Sequence, residues 1–574
     1  MTGREQQSEA PIRCDVLVVG SGAAGLAAAV TAAHFGLKVV VAEKEPLFGG
    51  TTAISGGWLW IPRNPLAVAA GIDEAAETPL AYLRSEIGAG AEDARMRAFL
   101  ATGPEMVSFF AEHSAVRWID GNRIPDFHEG PGAADGGRSV SVEPFDARAL
   151  GEWFDHLRPP LPEATVWGMA IQSGAEMGHF FNATRRPASA LVVARRFGRF
   201  AWDRMRHGRD MRLVNGNALA ARLLRSALDK GVTLLREAPV TALVEDQGRV
   251  TGAILRSEGR ALSVEAARGV VLAAGGFPHD RARLARLVPH AGPEGRGHHS
   301  AAPKGNTGDG LTLGESAGAW VRDDLASAAA LAPVSFAPRR DGPGNFPHLV
   351  ERAKPGIIAV TPDGRRFVNE ADSYHDFVSA LLKATPPGSE PHCWLIADAA
   401  ARRRWGLGAV KPFPFPTGGA IRAGYLRTGR TLGDLAAACG IDAGALGATV
   451  ERFNAAAERG EDPEFHRGRS RYNRIQGDAG QSPNPSLAPL RTGPFYAVRI
   501  VPGSLGTFAG LATDAAARVL DRDGAPIPGL FAAGNDMSSI MNGHYPSGGI
   551  TLGPGMTFGY IAGCVLAGQI IHTN

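Results

Sequence analysis

Cysteine is nearly missing from this chain. There are four in 574 residues, Cys14, Cys393, Cys439 and Cys564, far apart and without CxxC or mixed Cys/His spacing. That excludes a disulfide framework and a cysteine-built metal centre, and leaves the thiols a structural role. Tyrosine is almost as scarce, with seven, so a tyrosine standing in a functional motif carries weight. Net charge is only +3, and the densest basic stretch, Arg195 to Arg212, is interleaved with apolar residues as on an amphipathic helix. No concentrated basic face is on offer to nucleic acid. Long apolar runs are absent too: Thr557 to Ile571 falls short of the roughly 20 residues that a membrane span needs. The start, MTGREQQSEAPIR, lacks the apolar core of a secretion signal. A cytoplasmic protein is expected, with peripheral membrane association left open.

Glycine, by contrast, abounds. The 74 glycines follow no Gly-X-Y period and gather in short clusters at the ends of apolar runs, which suits a backbone that approaches a ligand closely. Hydrophobic content of 44% and charged content of 20% are ordinary for a globular protein. The length requires two or more domains.

Val16 to Val19 reads as a short strand buried on both faces. Gly20-Ser21-Gly22-Ala23-Ala24-Gly25 follows, then an alanine-rich helix to His34 ended by Gly36, then a second buried strand, Lys38 to Ala42, ending at Glu43. Strand, glycine turn, helix, strand is a mononucleotide-binding unit. In it Gly20 permits the tight turn, Gly22 lets backbone amides reach a pyrophosphate, and Gly25 lets the helix pack on the strand. Glu43 can accept hydrogen bonds from ribose hydroxyls. These features permit NAD or FAD. The next segment, Phe48 to Gly57 (FGGTTAISGG), adds small and hydroxyl residues that can lie along an extended cofactor beyond its pyrophosphate.

Further along, Val232 to Leu235, Val240 to Val244 and Gly252 to Arg256 read as strands, the last two joined through Asp246-Gln247-Gly248. Gly269 to Ala274 reads as another, ending in Gly275-Gly276. From about 301 to 495 the pattern changes to short strands, Pro/Gly loops and a helix near Asp442 to Arg459. Phe531 to Asn535 and a closing helix then return to the strand–glycine pattern.

The FGGTTAISGG segment, with Asn215-Gly216-Asn217, Ala273-Ala274-Gly275-Gly276, Gly305 to Gly310 and Phe531 to Asn535, resembles the flavoprotein superfamily of fumarate reductases and 3-ketosteroid dehydrogenases. The motifs keep the family's order over nearly the whole chain. The resemblance implies FAD, held by Gly20, Gly22, Ala23, Ala24, Gly25, Glu43 and Lys44, then by Gly50, Thr51, Thr52, Ser55, Gly56 and Gly57. Later segments add Val240, Ala274, Gly275, Asn306, Gly308, Asp309, Gly534, Asn535, Gly549 and Ile550. Several members attach the flavin through a histidine near the first glycine run. No histidine occurs between His34 and His113, so a non-covalent FAD is expected. The fold class expected is α/β, a Rossmann-like FAD-binding domain (12–300 and 497–574) with an inserted α+β catalytic domain (301–496). A cap within 150–209 would cover the substrate or pack on the flavin domain.

Within the superfamily, fumarate reductases hold a dicarboxylate with arginine and histidine. Their His-Thr-Met-Gly-Gly segment is replaced here by Gly506-Thr507-Phe508-Ala509-Gly510, and Gly543 to Gly559 holds no arginine. Arg365 and Arg366 follow a Pro362-Asp363-Gly364 turn and are expected to be solvated. The chain resembles the 3-ketosteroid Δ1-dehydrogenases better, at Val501 to Thr507, at Gly543-His544-Tyr545-Pro546-Ser547-Gly548-Gly549, at Gly553 to Tyr560, and at Arg366 to Glu370 with Tyr374. By that resemblance Tyr545 and the Gly549 N–H hold a ketone oxygen, Tyr374 takes the α-proton, and flavin N5 takes the hydride.

A phenol of pKa about 10 needs help to act as a base. The family's assisting tyrosine aligns with Phe127, which cannot donate, and His128 beside it is the candidate substitute. Trp58, Trp60, Phe127 and Phe508 are candidate pocket walls, and Trp153, Phe154, Trp167, Phe180 and Phe181 candidate cap residues. The remaining tyrosines, Tyr472 among them, are expected to be structural. The activity expected is FAD-dependent 1,2-dehydrogenation of a 3-ketosteroid, with a separate electron acceptor. The alternatives are a smaller cyclic ketone of the cyclohexanone type, a fumarate-reductase-like enzyme, and a non-catalytic flavin carrier.

Overall fold

The computed structural model describes residues 10–257 and 259–570. The first nine residues of the polar start, and Ile571 at the end of the apolar late stretch, lie outside the described residues.

Ile12–Val19 forms a strand whose last four residues, all apolar, are fully or almost fully buried, as befits a strand covered on both faces. Helix Ala23–His34 leads from it to the parallel strand Val39–Ala42, and Thr233–Leu235 extends the sheet beyond that. On its other side Ile12–Val19 pairs in parallel with Arg260–Leu272, whose last residues pair in turn with Pro526–Ala532. The strand expected at Gly269 to Ala274 is thus the tail of one of 13 residues that stops at Leu272. Val240–Asp246 and Arg249–Ser257 add an antiparallel edge through the expected turn. Val19 is in register with both Ala42 and Leu272. The glycine turns after these strands therefore open at one edge, the carboxyl edge where α/β sheets bind ligands.

A second sheet runs in the order Gly344–Pro347, Ala329–Ala337, Phe495–Thr507, Cys393–Ala397, Ile357–Val360. Its longest strand, Phe495–Thr507, also pairs with His299–Ser300 and Arg427–Gly429. The boundary expected between 496 and 497 falls inside that strand, because Val501 to Thr507 continue the sheet against Ala329–Ala337. Helix Tyr374–Ala384 packs on the Ala329–Ala337 strand. One hydrophobic core joins the two sheets. A smaller one lies under helix Ala443–Glu458, which Asp442 caps by accepting from the Ala445 amide.

Between 150 and 209, helices Ala175–Asn182 and Pro187–His207 pack on each other beside a small cluster of Val166, Met169 and Phe200. The basic stretch falls largely within the second helix. The four cysteines form no disulfide, and among the described residues no cluster of three or more His, Cys, Asp or Glu is arranged for a metal ion. Among the described residues no helix is long and apolar enough to cross a membrane.

Candidate active site

The first part of the site is made mostly of backbone. Gly20 sits at φ +103°, and a Cβ there would lie 2.4 Å from the Ala273 carbonyl oxygen. Only glycine lets the two strand ends approach so closely. Glu43 is held at the end of its strand, accepting from the Ser21 amide (3.1 Å), the Ser21 hydroxyl (2.6 Å) and the Glu45 amide (2.9 Å). Lys44 pairs with Asp309 at 2.5 Å. Asp536, which sequence reasoning missed, accepts from the Ala274 (2.5 Å) and Gly276 (2.8 Å) amides and so pins the Ala273–Gly276 turn. Burial pushes its carboxyl up to about 6. Its sequence signal was its place directly after the Gly534-Asn535 turn.

From this cradle a cavity of about 610 Å³ extends to the second sheet's side of the molecule. All the residues expected to hold the cofactor line it, except Gly25, Gly308 and Ile550. Gly25 serves helix packing, for a Cβ there would lie 2.2 Å from the Gly20 carbonyl oxygen. Gly308 caps helix Asp309–Ser316, and Ile550 is buried in the core. The residues fit an adenine dinucleotide: a glycine turn, a helix N-terminus without an acidic first turn, and a buried carboxylate one strand away.

At the far end stand three tyrosines. Tyr374 and Tyr545 meet edge to face with ring centroids 4.9 Å apart. Phe127 touches both, at 5.5 and 5.9 Å, and lies 4.7 Å from the ring of Tyr472. All four line the cavity. Tyr472 is therefore no remote structural residue. Its only sequence signal was tyrosine scarcity, and it reaches the site on helix Arg471–Gln476, roughly a hundred positions after Tyr374. Burial raises all three phenols, with Tyr545 pushed up to about 12; Tyr374 goes well above its ordinary range, with Tyr545 adding to the effect of burial. The guanidinium of Arg352 opposes the rise at Tyr374 and Tyr472. Arg352 is fully buried and donates to the backbone carbonyls of His348 and Glu370. Its positive charge only moderates the rise, because burial outweighs it at both phenols.

Gly549 has φ +101°, and a Cβ there would lie 2.6 Å from the Trp60 nitrogen. Its carbonyl accepts from Trp60 and Gly553, while no described residue accepts its N–H. Tyr82 steadies the same loop, its hydroxyl donating to the Pro546 carbonyl at 2.7 Å, and the Phe127 amide donates there too at 3.0 Å.

Other expectations change. His128 neither lines the cavity nor reaches Tyr374: its ring nitrogens lie 2.5 Å from Glu86 and 2.7 Å from Asp376. Burial pulls its pKa down, but hydrogen bonds to Asp376 and Glu86 outweigh that and carry it up to about 10. Arg365 is solvated, but Arg366 is buried and makes two-pronged contacts with both Glu370 and Asp462, while Arg467 joins Glu370 at 3.1 Å. The turn ends one residue too early to solvate it. Of the candidate walls, Trp58 and Phe127 line the cavity, whereas Trp60 and Phe508 are core. Of the cap aromatics only Phe181 lines it; Trp153 packs near Phe48, Phe154 beneath Arg209, Phe180 near Phe197, and Trp167 is exposed.

Residues 15–552 match the family model described as FAD binding domain. The chain belongs to this FAD-binding family. It is 42% identical over 557 residues to the 4-oxocyclohex-2-ene-1-carboxylate 5-dehydrogenase of Sinomonas cyclohexanicum, covering 96% of this chain and 93% of that one. It is 36% identical to the 3-oxosteroid 1-dehydrogenase of Mycolicibacterium smegmatis, covering 99% and 98%. Among solved structures it resembles the 3-ketosteroid Δ1-dehydrogenase from Sterolibacterium denitrificans in complex with 1,4-androstadiene-3,17-dione, at TM-score 0.89 and 35% identity over 97% of this chain and 99% of that one. The protein is an FAD-dependent dehydrogenase like these relatives.

Proposed function

We propose that this FAD-dependent dehydrogenase desaturates a cyclic ketone beside its carbonyl group. The observation that carries the reading is the pair Tyr374–Tyr545, edge to face in the cavity that begins at the glycine cradle. Desaturation removes a proton from the α-carbon and a hydrogen with its electron pair from the β-carbon. Bound FAD supplies the acceptor for that electron pair. The Tyr545 hydroxyl and the Gly549 N–H hold the ketone oxygen as it gains enolate charge, and neutral donors do so without burying a second ion. Tyr374 receives the α-proton, with Arg352 favouring the charged form of its phenol. Neither histidine nor cysteine lines the cavity among the described residues, which supports a dissociable flavin.

Two ring classes fit. A 3-ketosteroid is favoured by the likeness to the 3-oxosteroid 1-dehydrogenase and to the steroid complex. A single-ring oxo compound is favoured by the likeness to the 4-oxocyclohex-2-ene-1-carboxylate dehydrogenase. A dicarboxylate substrate is disfavoured, because Arg366 is already committed to Glu370 and Asp462. The test is anaerobic mixing of the purified protein with androst-4-ene-3,17-dione, 4-oxocyclohexanecarboxylate, cyclohexanone and succinate in separate runs, following flavin absorbance. Bleaching by one or more ring ketones is expected. Bleaching by succinate alone would overturn the proposal.

A further inference from the structure

Among the described residues three cations line the cavity, and two of them are matched. Lys44 pairs with Asp309 at 2.5 Å, and Arg158 with Glu45 at 3.4 Å. The third, Lys354, has no carboxylate within ion-pair distance among the described residues, although it is only 8% exposed. Its Nζ donates to the carbonyls of Gln476 (2.6 Å) and Gly477 (2.8 Å). An ammonium has three N–H donors, so one is left over. Nζ lies 5.8 Å from the Phe181 ring and 5.4 Å from that of Trp405, and Asp478, Arg404 and Glu351 act on it only from beyond ion-pair or hydrogen-bond distance. Leu349, Val350 and Ile475 line the same region of the cavity. None of these belongs to the glycine cradle; they come from the cap, from the 349–354 segment, from helix Ala399–Trp405 and from the helix that carries Tyr472.

A buried ammonium with one idle donor, on a residue that lines the cavity, is costly unless something anionic completes it. We infer that the ring ketone bears a carboxylate and that Lys354 receives it, which fixes the ring's far end while the ketone lies at the tyrosines. The inference rests on the ring-ketone reading above and adds the charge of the substrate to it. Capping of helix Arg471–Gln476 accounts for two of the donors but not for the third. Burial lowers the Lys354 ammonium to about 8, which leaves it charged at neutral pH and sensitive to a paired anion. A neutral steroid would leave it only the more distant charges of Asp478 and Glu351.

The test compares kcat/KM for 4-oxocyclohexanecarboxylate, its methyl ester and androst-4-ene-3,17-dione in the FAD-loaded protein and in Lys354→Met and Lys354→Arg. For the unaltered protein the acid should exceed the ester by about 100-fold, within the range of one hydrogen bond to a charged group. In Lys354→Met that ratio should fall to near one, mainly through KM for the acid; in Lys354→Arg it should stay above about ten, the lower end of that range. An acid-to-ester ratio near one in the unaltered protein, a faster reaction with the steroid, or a ratio unchanged in Lys354→Met overturns the inference while leaving ketone desaturation standing. No reaction with any ketone overturns both. The unaltered protein decides the first two outcomes even if Lys354→Met does not fold.

Discussion

The two ends of the cavity are built by different means. The cradle is made of backbone: Gly20 at φ +103°, the Ala273–Gly276 turn pinned by Asp536, and Glu43 fixed by its own neighbours Ser21 and Glu45. The tyrosine end is made of side chains from four distant segments, Phe127, Tyr374, Tyr472 and Tyr545, held at ring separations of 4.7 to 5.9 Å. A backbone cradle tolerates no side chain where strands meet, whereas a side-chain cluster depends on buried polar anchors behind it. Asn473 shows this. It is buried, donates to Asp372, accepts from Asn369, and thereby ties the Tyr472 helix to the segment leading into Tyr374.

The largest expected effect falls on the cradle. Gly20→Val would drive a branched side chain into the Ala273 carbonyl, and the purified protein should carry no flavin. A yellow protein with the usual FAD content would contradict the backbone account. Next comes Arg366→Met. It strips Glu370 and Asp462 of their main partner in a buried cluster, and losing one member of such a pair costs about 3–5 kcal/mol. Chemical denaturation should show that loss; a change under about 1 kcal/mol would mean the cluster anchors little.

Tyr472→Phe keeps the ring against Phe127 and removes one hydroxyl. Flavin reduction by a ring ketone should slow by about three- to tenfold, the worth of one hydrogen bond, with FAD still bound. An unchanged rate would return Tyr472 to a packing role. The smallest effect concerns His128. Its pKa in the folded protein, about 10, lies above the ordinary 6.5, so its stabilisation is complete below about pH 6.5 and fades as pH rises towards 10. The gap in melting temperature between the protein and His128→Gln should therefore narrow from pH 6.5 to 10. A constant gap would show that the carboxylate clamp contributes nothing.

The same contrast explains what could be read from residue order. Backbone sites leave local signatures, since a glycine turn between a buried strand and a helix is written in about ten consecutive residues. The cradle and its sheet were legible for that reason, down to the hairpin at Asp246-Gln247-Gly248. Tyr374 and Tyr545 were legible only through resemblance and the scarcity of tyrosine. Tyr472, Arg352 and Lys354 were not, because each owes its place to a tertiary contact: Tyr472 to a short helix tied down by Asn473, Arg352 to the carbonyls of His348 and Glu370, and Lys354 to the end of the Tyr472 helix. Arg366 was misread for a related reason. A turn sequence reports where the chain reverses, and the residue just after it can point inward.

In the proposed reaction Tyr374 receives the α-proton while the cradle only holds the flavin. Stopped-flow mixing of Tyr374→Phe and the unaltered protein with the same saturating ring ketone, without oxygen, tests it most directly. Equal FAD content is expected, with flavin reduction slowed at least about 100-fold in the variant, the lower range of a positioned proton acceptor's contribution. Reduction at the same rate in both proteins would contradict it.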